Sequence, residues 1–245
     1  KFLINNCDDI KEIDQFTDIY HIFDEYTQTK LSSIKKKQII YKPYWCNDKL
    51  WRVLDKDKIL YIKDTKYNLP NDKFLIGSFI RDTEVNGNPK LEKGPDIFIK
   101  MVEYYRKNVD IKKYKDVHVV LTGFRRSWTI NKLKELGITY SYFEMINIEG
   151  LNELYNIIDL YIIGSRVEGG PQSIYEASLT KCPIISTDIG NAKNILNDDS
   201  IYDYMRIGMD NFKHPKIDIH GNYNRVYKYT IKNYINKFNG LFMID

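Results

Sequence analysis

The chain has 245 residues, of which 43% are hydrophobic and 29% charged, and a formal net charge of +4. That balance is globular rather than disordered, and no run approaches the ~18 apolar residues of a membrane span. The mild positive charge admits an anionic ligand or peripheral contact with an acidic membrane surface, and it does not call for nucleic acid.

The three cysteines, Cys7, Cys46 and Cys182, are scattered without metal-ligand spacing, which points to a reducing, cytoplasmic setting. There is no signal-peptide pattern, and the chain opens at Lys1 without a methionine, as either a fragment of a longer protein or a trimmed chain would.

In chain order, residues 1–45 are the least regular. Phe2-Leu3-Ile4, Ile19 to Phe23 and Gln38 to Tyr41 read as short strands, and Asp24 stands where a helix N-cap belongs, before Glu25 to Leu31. Lys35-Lys36-Lys37 reads as a solvated charge run. Residues 46–71 form a polar connector with one or two helical turns.

From Phe74 the pattern is regular. Phe74 to Ile80 is a buried strand ending at Arg81, and a polar loop with turn residues Asn86, Gly87, Asn88 and Pro89 follows. A helix runs from about Gly94 to Asn108, with Ile97, Phe98, Met101, Val102 and Tyr105 on one face. Then come a strand over Val117 to Leu121, a helix over Trp128 to Leu136 closed by Gly137, and a strand over Ile138 to Phe143. A helix over Leu151 to Ile158 leads into the central stretch, Tyr161 to Thr187. There a buried strand, Asp159 to Ile163, is followed by the turn Glu168-Gly169-Gly170-Pro171, a helix from Gln172 to Thr180 and a strand from Pro183 to Thr187. Ala192 to Leu196 reads as a short helix, Ile201 to Met205 as a small strand and Asn224 to Phe238 as a closing helix.

Alternation of strand and helix with short connections predicts an α/β fold, a Rossmann-like parallel sheet with helices on both faces. Such sheets bind ligands beyond the carboxyl ends of their strands. The Glu168 turn aims a helix N-terminus at that space, where backbone N–H groups attract phosphate, and Gly169 and Gly170 carry no side chain to obstruct a ligand. Glu168 ends a strand in this crevice, and Glu176 lies one turn into the helix that starts there. Arg81 and Lys93 flank the first loop on the same edge and would hold a diphosphate without a metal.

Two other groups read differently. Asp55-Lys56-Asp57 has the D-x-D form of a metal motif but sits in the polar connector, which argues against a metal role. Arg125-Arg126, after the Gly123 turn, reads as a solvated loop in preference to a phosphate contact.

The run Ser165-Arg166-Val167-Glu168-Gly169-Gly170-Pro171, then Glu176-Ala177, then Pro183 to Gly190, resembles the donor-binding signature of retaining GT-B glycosyltransferases, and most closely glycosyltransferase family 4 with its E-x7-E motif. Gly77, Arg81 and Lys93-Gly94-Pro95-Asp96 resemble the upstream glycine, arginine and lysine-glycine block of that family. The resemblance covers about residues 72–200. It implies a donor domain over 72–205, a short or truncated acceptor-side part over 1–45, the connector over 46–71, and a helical tail over 206–245 that packs back. It implies a retaining, metal-independent transfer of sugar from a nucleoside-diphosphate sugar to a glycan or lipid-linked acceptor, with no cofactor.

The resemblance also implies roles. Arg81 and Lys93 would hold the diphosphate, Glu168 the donor sugar and Glu176 the ribose. Gly77, Gly169, Gly170, Pro171, Gln172 and Ser173 would meet sugar or phosphate, and Glu144, Met145 and Ile146 the base. None of His21, His118, His214 and His220 matches the acceptor-domain histidine of many members. The competing reading is a nucleotide-sugar-binding module or inactive relative. A dinucleotide or P-loop fold is disfavoured, since neither glycine motif occurs.

Overall fold

The computed structural model describes residues 14–17, 19–22, 38–41 and 44–235. Two short strands, β1 (Ile19–Ile22) and β2 (Gln38–Tyr41), pair in parallel as a small separate sheet. The expected strand at Phe2-Leu3-Ile4 and the helix from Glu25 to Leu31 lie outside the described residues.

The connector is more ordered than its composition announces. It contains a full helix, α1 (Lys56–Thr65), and Asp55 caps it by accepting bonds from the Asp57 and Lys58 amides at 2.9 and 3.3 Å. The D-x-D sequence is therefore a helix start, with Asp55 occupied by backbone.

The main body is a five-stranded, wholly parallel sheet in the order β7-β6-β3-β8-β9. Its strands are β3 (Lys73–Phe79), β6 (Asp116–Thr122), β7 (Thr139–Phe143), β8 (Leu160–Ile163) and β9 (Ile184–Ser186). A single parallel bridge from Ser186 to Ile201 is all that remains of the small strand expected at 201–205; Tyr204–Arg206 instead forms a turn of 3-10 helix.

The connecting helices are α2 (Pro95–Asn108), α3 (Ser127–Glu135), α4 (Ile148–Ile157), α5 (Gln172–Leu179) and the short α6 (Ala192–Ile195). Successive strand residues point to opposite faces, so two cores form. Leu75, Val120, Tyr161 and Ile163 pack with α4 and α5, through residues such as Leu154, Tyr155, Ile174 and Ala177. Ile76, Val119, Leu160 and Ile162 pack with α2 and α3, through Ile97, Met101, Val102 and Leu133. The apolar stripe read on the 94–108 helix is thus the buried face of α2. His118 is part of the sheet packing as well, with its ring nitrogens 2.9 and 3.0 Å from the Thr139 and Ser141 hydroxyls.

Three boundaries move. Helix α4 starts earlier than its apolar pattern, because the Asn147 side chain accepts from the Gly150 amide at 2.8 Å. The loop after Arg81 folds into a two-residue hairpin, β4 (Glu84–Val85) against β5 (Asn88–Pro89), turned by Asn86 and Gly87, both at positive φ. The expected closing helix from Asn224 to Phe238 is broken. It is α7 (Ile219–Tyr227) and, after a gap, α8 (Ile231–Tyr234). The gap exists because Cys46 donates to the Tyr229 carbonyl and accepts from the Ile231 amide, both at 2.9 Å, which pulls Thr230 into extended backbone.

Candidate active site

Strand order reverses between β3 and β8, since β3 leads to β6 on one side and β8 to β9 on the other. Beyond the carboxyl ends at such a switch point the flanking loops diverge and leave a crevice. Here it has a volume of about 580 Å³, within the range of small-ligand sites. Its lining comes from the ends of β3, β6, β7 and β8, the segment at Lys93 and the start of α5.

The crevice brings together most of the residues expected from sequence. Arg81, Lys93, Glu168 and Glu176 all line it, as do Pro171, Gln172 and Ser173 at the start of α5, and Glu144, Met145 and Ile146 after β7. Pro171 is the N-cap of α5 and no side chain caps that end, which leaves its first-turn amides to a ligand. Three glycines are placed elsewhere. Gly77 lies within β3, where an added Cβ would sit 2.4 Å from Ile158 Cδ1, so its smallness serves helix–sheet packing. Gly169 and Gly170 are also outside the crevice lining. A Cβ on Gly190 would come within 2.8 Å of the Gly169 carbonyl, and one on Gly169 would meet nothing.

Two loops carry the charged groups and are stapled together. The Arg166 and Val167 amides donate to the Glu92 carbonyl at 2.9 and 3.2 Å. The Arg166 guanidinium forks onto Asp96 at 2.8 and 2.6 Å and donates to the Leu91 carbonyl at 2.7 Å. It also lies over the Tyr204 ring, 5.3 Å from the centroid. This bidentate pair holds the Arg166 guanidinium above its usual range. Burial raises the Asp96 carboxyl but the Arg166 charge and hydrogen bonds override it, so the net shift is downward. The staple needs Gly94, which sits at φ +61; a Cβ there would be 1.7 Å from the Gly164 carbonyl.

The staple places Lys93 Nζ 2.6 Å from Glu168 Oε1, with both side chains largely covered. Arg81 is exposed and forms no ion pair with the described residues. Glu176 also lines the crevice, next to a cluster of three aromatic rings, Phe79, Tyr155 and Tyr161, whose centroids are 4.9 to 5.3 Å apart. The Tyr155 hydroxyl donates to Glu176 Oε2 at 3.1 Å. Burial dominates over that bond and pushes the Glu176 carboxyl up to about 7. The edge beyond β7 is more open: Met145 is exposed, and Glu144 accepts from the Tyr142 hydroxyl at 3.2 Å.

Arg126 departs most from expectation. Arg125 is on the surface beside Asp82 at 3.2 Å, but Arg126 is only 2% exposed. Its Nη1 donates to the carbonyls of Ser78, Ile80 and Thr122, and its Nη2 to the Ser78 hydroxyl. It plugs the carboxyl ends of β3 and β6 by donating to their carbonyls. No periodicity flagged it, because it caps strands rather than belonging to one. The Arg166–Asp96 staple was equally silent in sequence, since its partners are 70 residues apart.

These features define a Rossmann-like domain with a crevice at its switch point that gathers cationic and carboxylate side chains. Residues 86–202 match the family model described as "Glycosyl transferases group 1". A search of curated protein sequences finds no match. Among solved structures, the chain is similar to sucrose-phosphate synthase from Thermosynechococcus elongatus, at 14% identity and a TM-score of 0.72, over 96% of this chain and 60% of that one. It is similar to a glycosyltransferase from Rickettsia africae, at 15% identity and a TM-score of 0.65, over 90% of this chain and 62% of that one. It is also similar to HepE of Anabaena, solved in complex with UDP-glucose, at 13% identity and a TM-score of 0.70, over 97% of this chain and 67% of that one. The chain therefore spans about three fifths of the length of the first two. At these identities the likeness carries the fold, that of the GT-B glycosyltransferases.

Proposed function

We propose that this chain forms the donor side of a retaining glycosyltransferase of the family 4 type, which moves sugar from a nucleoside-diphosphate sugar to a glycan or lipid-linked acceptor. The observation that carries this reading is the gathering of Arg81, Lys93, Glu168 and Glu176 around one crevice at the sheet's switch point, largely inside the stretch that matches the glycosyl transferase model. The UDP-glucose held by HepE supports the same ligand class.

In this reading the nucleoside lies along the β7 edge, by Glu144 to Ile146, and its ribose hydroxyls meet Glu176. The diphosphate lies across Arg81, Lys93 and the first amides of α5. Glu168 meets the sugar. As the glycosidic bond breaks, negative charge grows on the departing diphosphate. Cations and amides around the bound donor stabilise it there, and this supplies the bulk of the rate gain. Cationic side chains and backbone amides meet that charge, so the transfer runs without a metal or other cofactor. The enzyme works in the cytoplasm, and its mild positive charge allows contact with a membrane that presents the acceptor. Among the described residues no helix is long and apolar enough to cross a membrane.

The test is donor turnover. The chain, or the longest form of the protein that contains it, is incubated with UDP-, GDP- and ADP-sugars in the presence of a chelator. Release of nucleoside diphosphate, abolished in Arg81→Ala, supports the reading. Tight donor binding without release or transfer would point to a module that holds the donor without turning it over.

A further inference from the structure

Arg126 is the most deeply buried cation near the crevice and has no part in the donor contacts above. It is 2% exposed, yet it lines the same crevice as Arg81 and Lys93. Every bond it makes goes to a neutral oxygen: the Ser78, Ile80 and Thr122 carbonyls and the Ser78 hydroxyl. Its Nε is buried without a partner. The carboxylate that acts on it through the field, Glu84, accepts from the Trp128 amide at 2.5 Å instead of bonding to the guanidinium.

Carbonyl contacts orient a guanidinium but do not cancel its charge. A buried charge without an ion partner is costly, and burial holds Arg126 down to about 10. An apolar side chain could fill the volume, and an amide could cap some of the carbonyls. The charge itself therefore asks for an anion. One of the anchored carbonyls belongs to Ile80, the residue before Arg81, so the charge lies directly beneath the backbone that presents Arg81.

We infer that Arg126 is a third cation of the anion site, which holds the donor's diphosphate from beneath the crevice floor through its field and not by contact. Because that field crosses a poorly screened interior, it acts on the ligand more strongly than a surface charge at equal distance. Arg126 bonds to no anion among the described residues, and an arriving diphosphate brings negative charge to it. The inference rests on the donor reading for the identity of the anion, but not for its existence.

The test compares ligands of rising charge. Inorganic pyrophosphate and the nucleoside, monophosphate and diphosphate of whichever base the chain accepts are titrated calorimetrically into wild type, Arg126→Gln and Arg126→Lys. Thermal melting of each protein checks the fold. Arg126→Gln is expected to lose about tenfold in affinity for the diphosphate and for pyrophosphate, and nothing for the nucleoside. Arg126→Lys, which keeps the charge and gives up the fork, is expected to stay within about threefold of wild type. Equal losses for nucleoside and diphosphate, or a loss in Arg126→Lys as large as in Arg126→Gln, would overturn the inference and leave Arg126 a structural plug. Should Arg126→Gln fail to fold, Arg126→Lys decides alone, since a tenfold loss of pyrophosphate affinity there contradicts a role for charge. Pyrophosphate binding without nucleotide binding would refute the donor reading and leave this inference standing. Nucleotide binding with a charge dependence indifferent to Arg126 would do the reverse.

Discussion

Lys93 Nζ and Glu168 Oε1 lie 2.6 Å apart although 75 residues separate them in the chain. The ammonium proposed to hold the diphosphate is thus already paired with the carboxylate proposed to meet the sugar. A donor has to part this ion pair, and in doing so engages both groups at once. Glu168→Gln frees the ammonium, so a bare nucleoside diphosphate should bind about threefold more tightly while its sugar conjugate loses affinity. Lys93→Ala should weaken both by ~2–4 kcal/mol. Titration of the two ligands into the two variants checks this. Equal changes for both ligands in Glu168→Gln would mean that Glu168 does not meet the sugar.

The pair also shows what the sequence could and could not tell. Alternating strands and helices from Phe74 onward made the sheet legible, and the E-x7-E spacing put Glu168 and Glu176 at one crevice. Legibility failed where a partner is distant. The break before α8 depends on Cys46, and the burial of Arg126 depends on carbonyls of β3 and β6. Gly77 was named only through the family resemblance, and its close approach to Ile158 could not be seen in the sequence.

The Arg166–Asp96 fork carries the loop that presents Lys93. Both side chains are mostly covered, at 27% and 25% exposure, so the pair is worth more than a surface ion pair. Arg166→Ala should cost about 1–2 kcal/mol of stability, read from denaturant midpoints. Arg166→Lys, a single point charge, should recover only part of it. Full recovery by lysine would mean that charge alone, without the fork, holds the loops.

Gly94 and Gly169 make a contrasting pair. A Cβ on Gly94 would drive into the Gly164 backbone at 1.7 Å, from a φ of +61, whereas one on Gly169 meets nothing within 4 Å. Gly94→Ala is expected to destabilise by more than about 3 kcal/mol, and Gly169→Ala to stay within about 0.5 kcal/mol. Thermal melting of the two variants settles it. A mild Gly94→Ala would mean that the two loops can separate without disturbing the fold.

Glu176, pushed up to about 7 by burial, gives the site a pH dependence of two opposite signs. The folded chain holds a proton there that the unfolded chain releases near the ordinary carboxylate value. Stability should therefore fall as pH rises from about 4.5 to 7. Ribose hydroxyls donate to the ionised carboxylate and lower its pKa, so binding releases a proton. Affinity for a nucleoside-diphosphate sugar, which has no phosphate titrating in this window, should be full above pH 7 and weaken as pH falls below it. Glu176→Gln should flatten both profiles. A wild-type affinity that is level from pH 6 to 8 would remove Glu176 from the ribose.

The most direct test of the donor site is calorimetric titration of the chain with UDP, GDP and ADP in the presence of a chelator. The account predicts that one of the three binds without metal and that Arg81→Ala abolishes the binding. Silence from all three, or binding that survives Arg81→Ala unchanged, would contradict it.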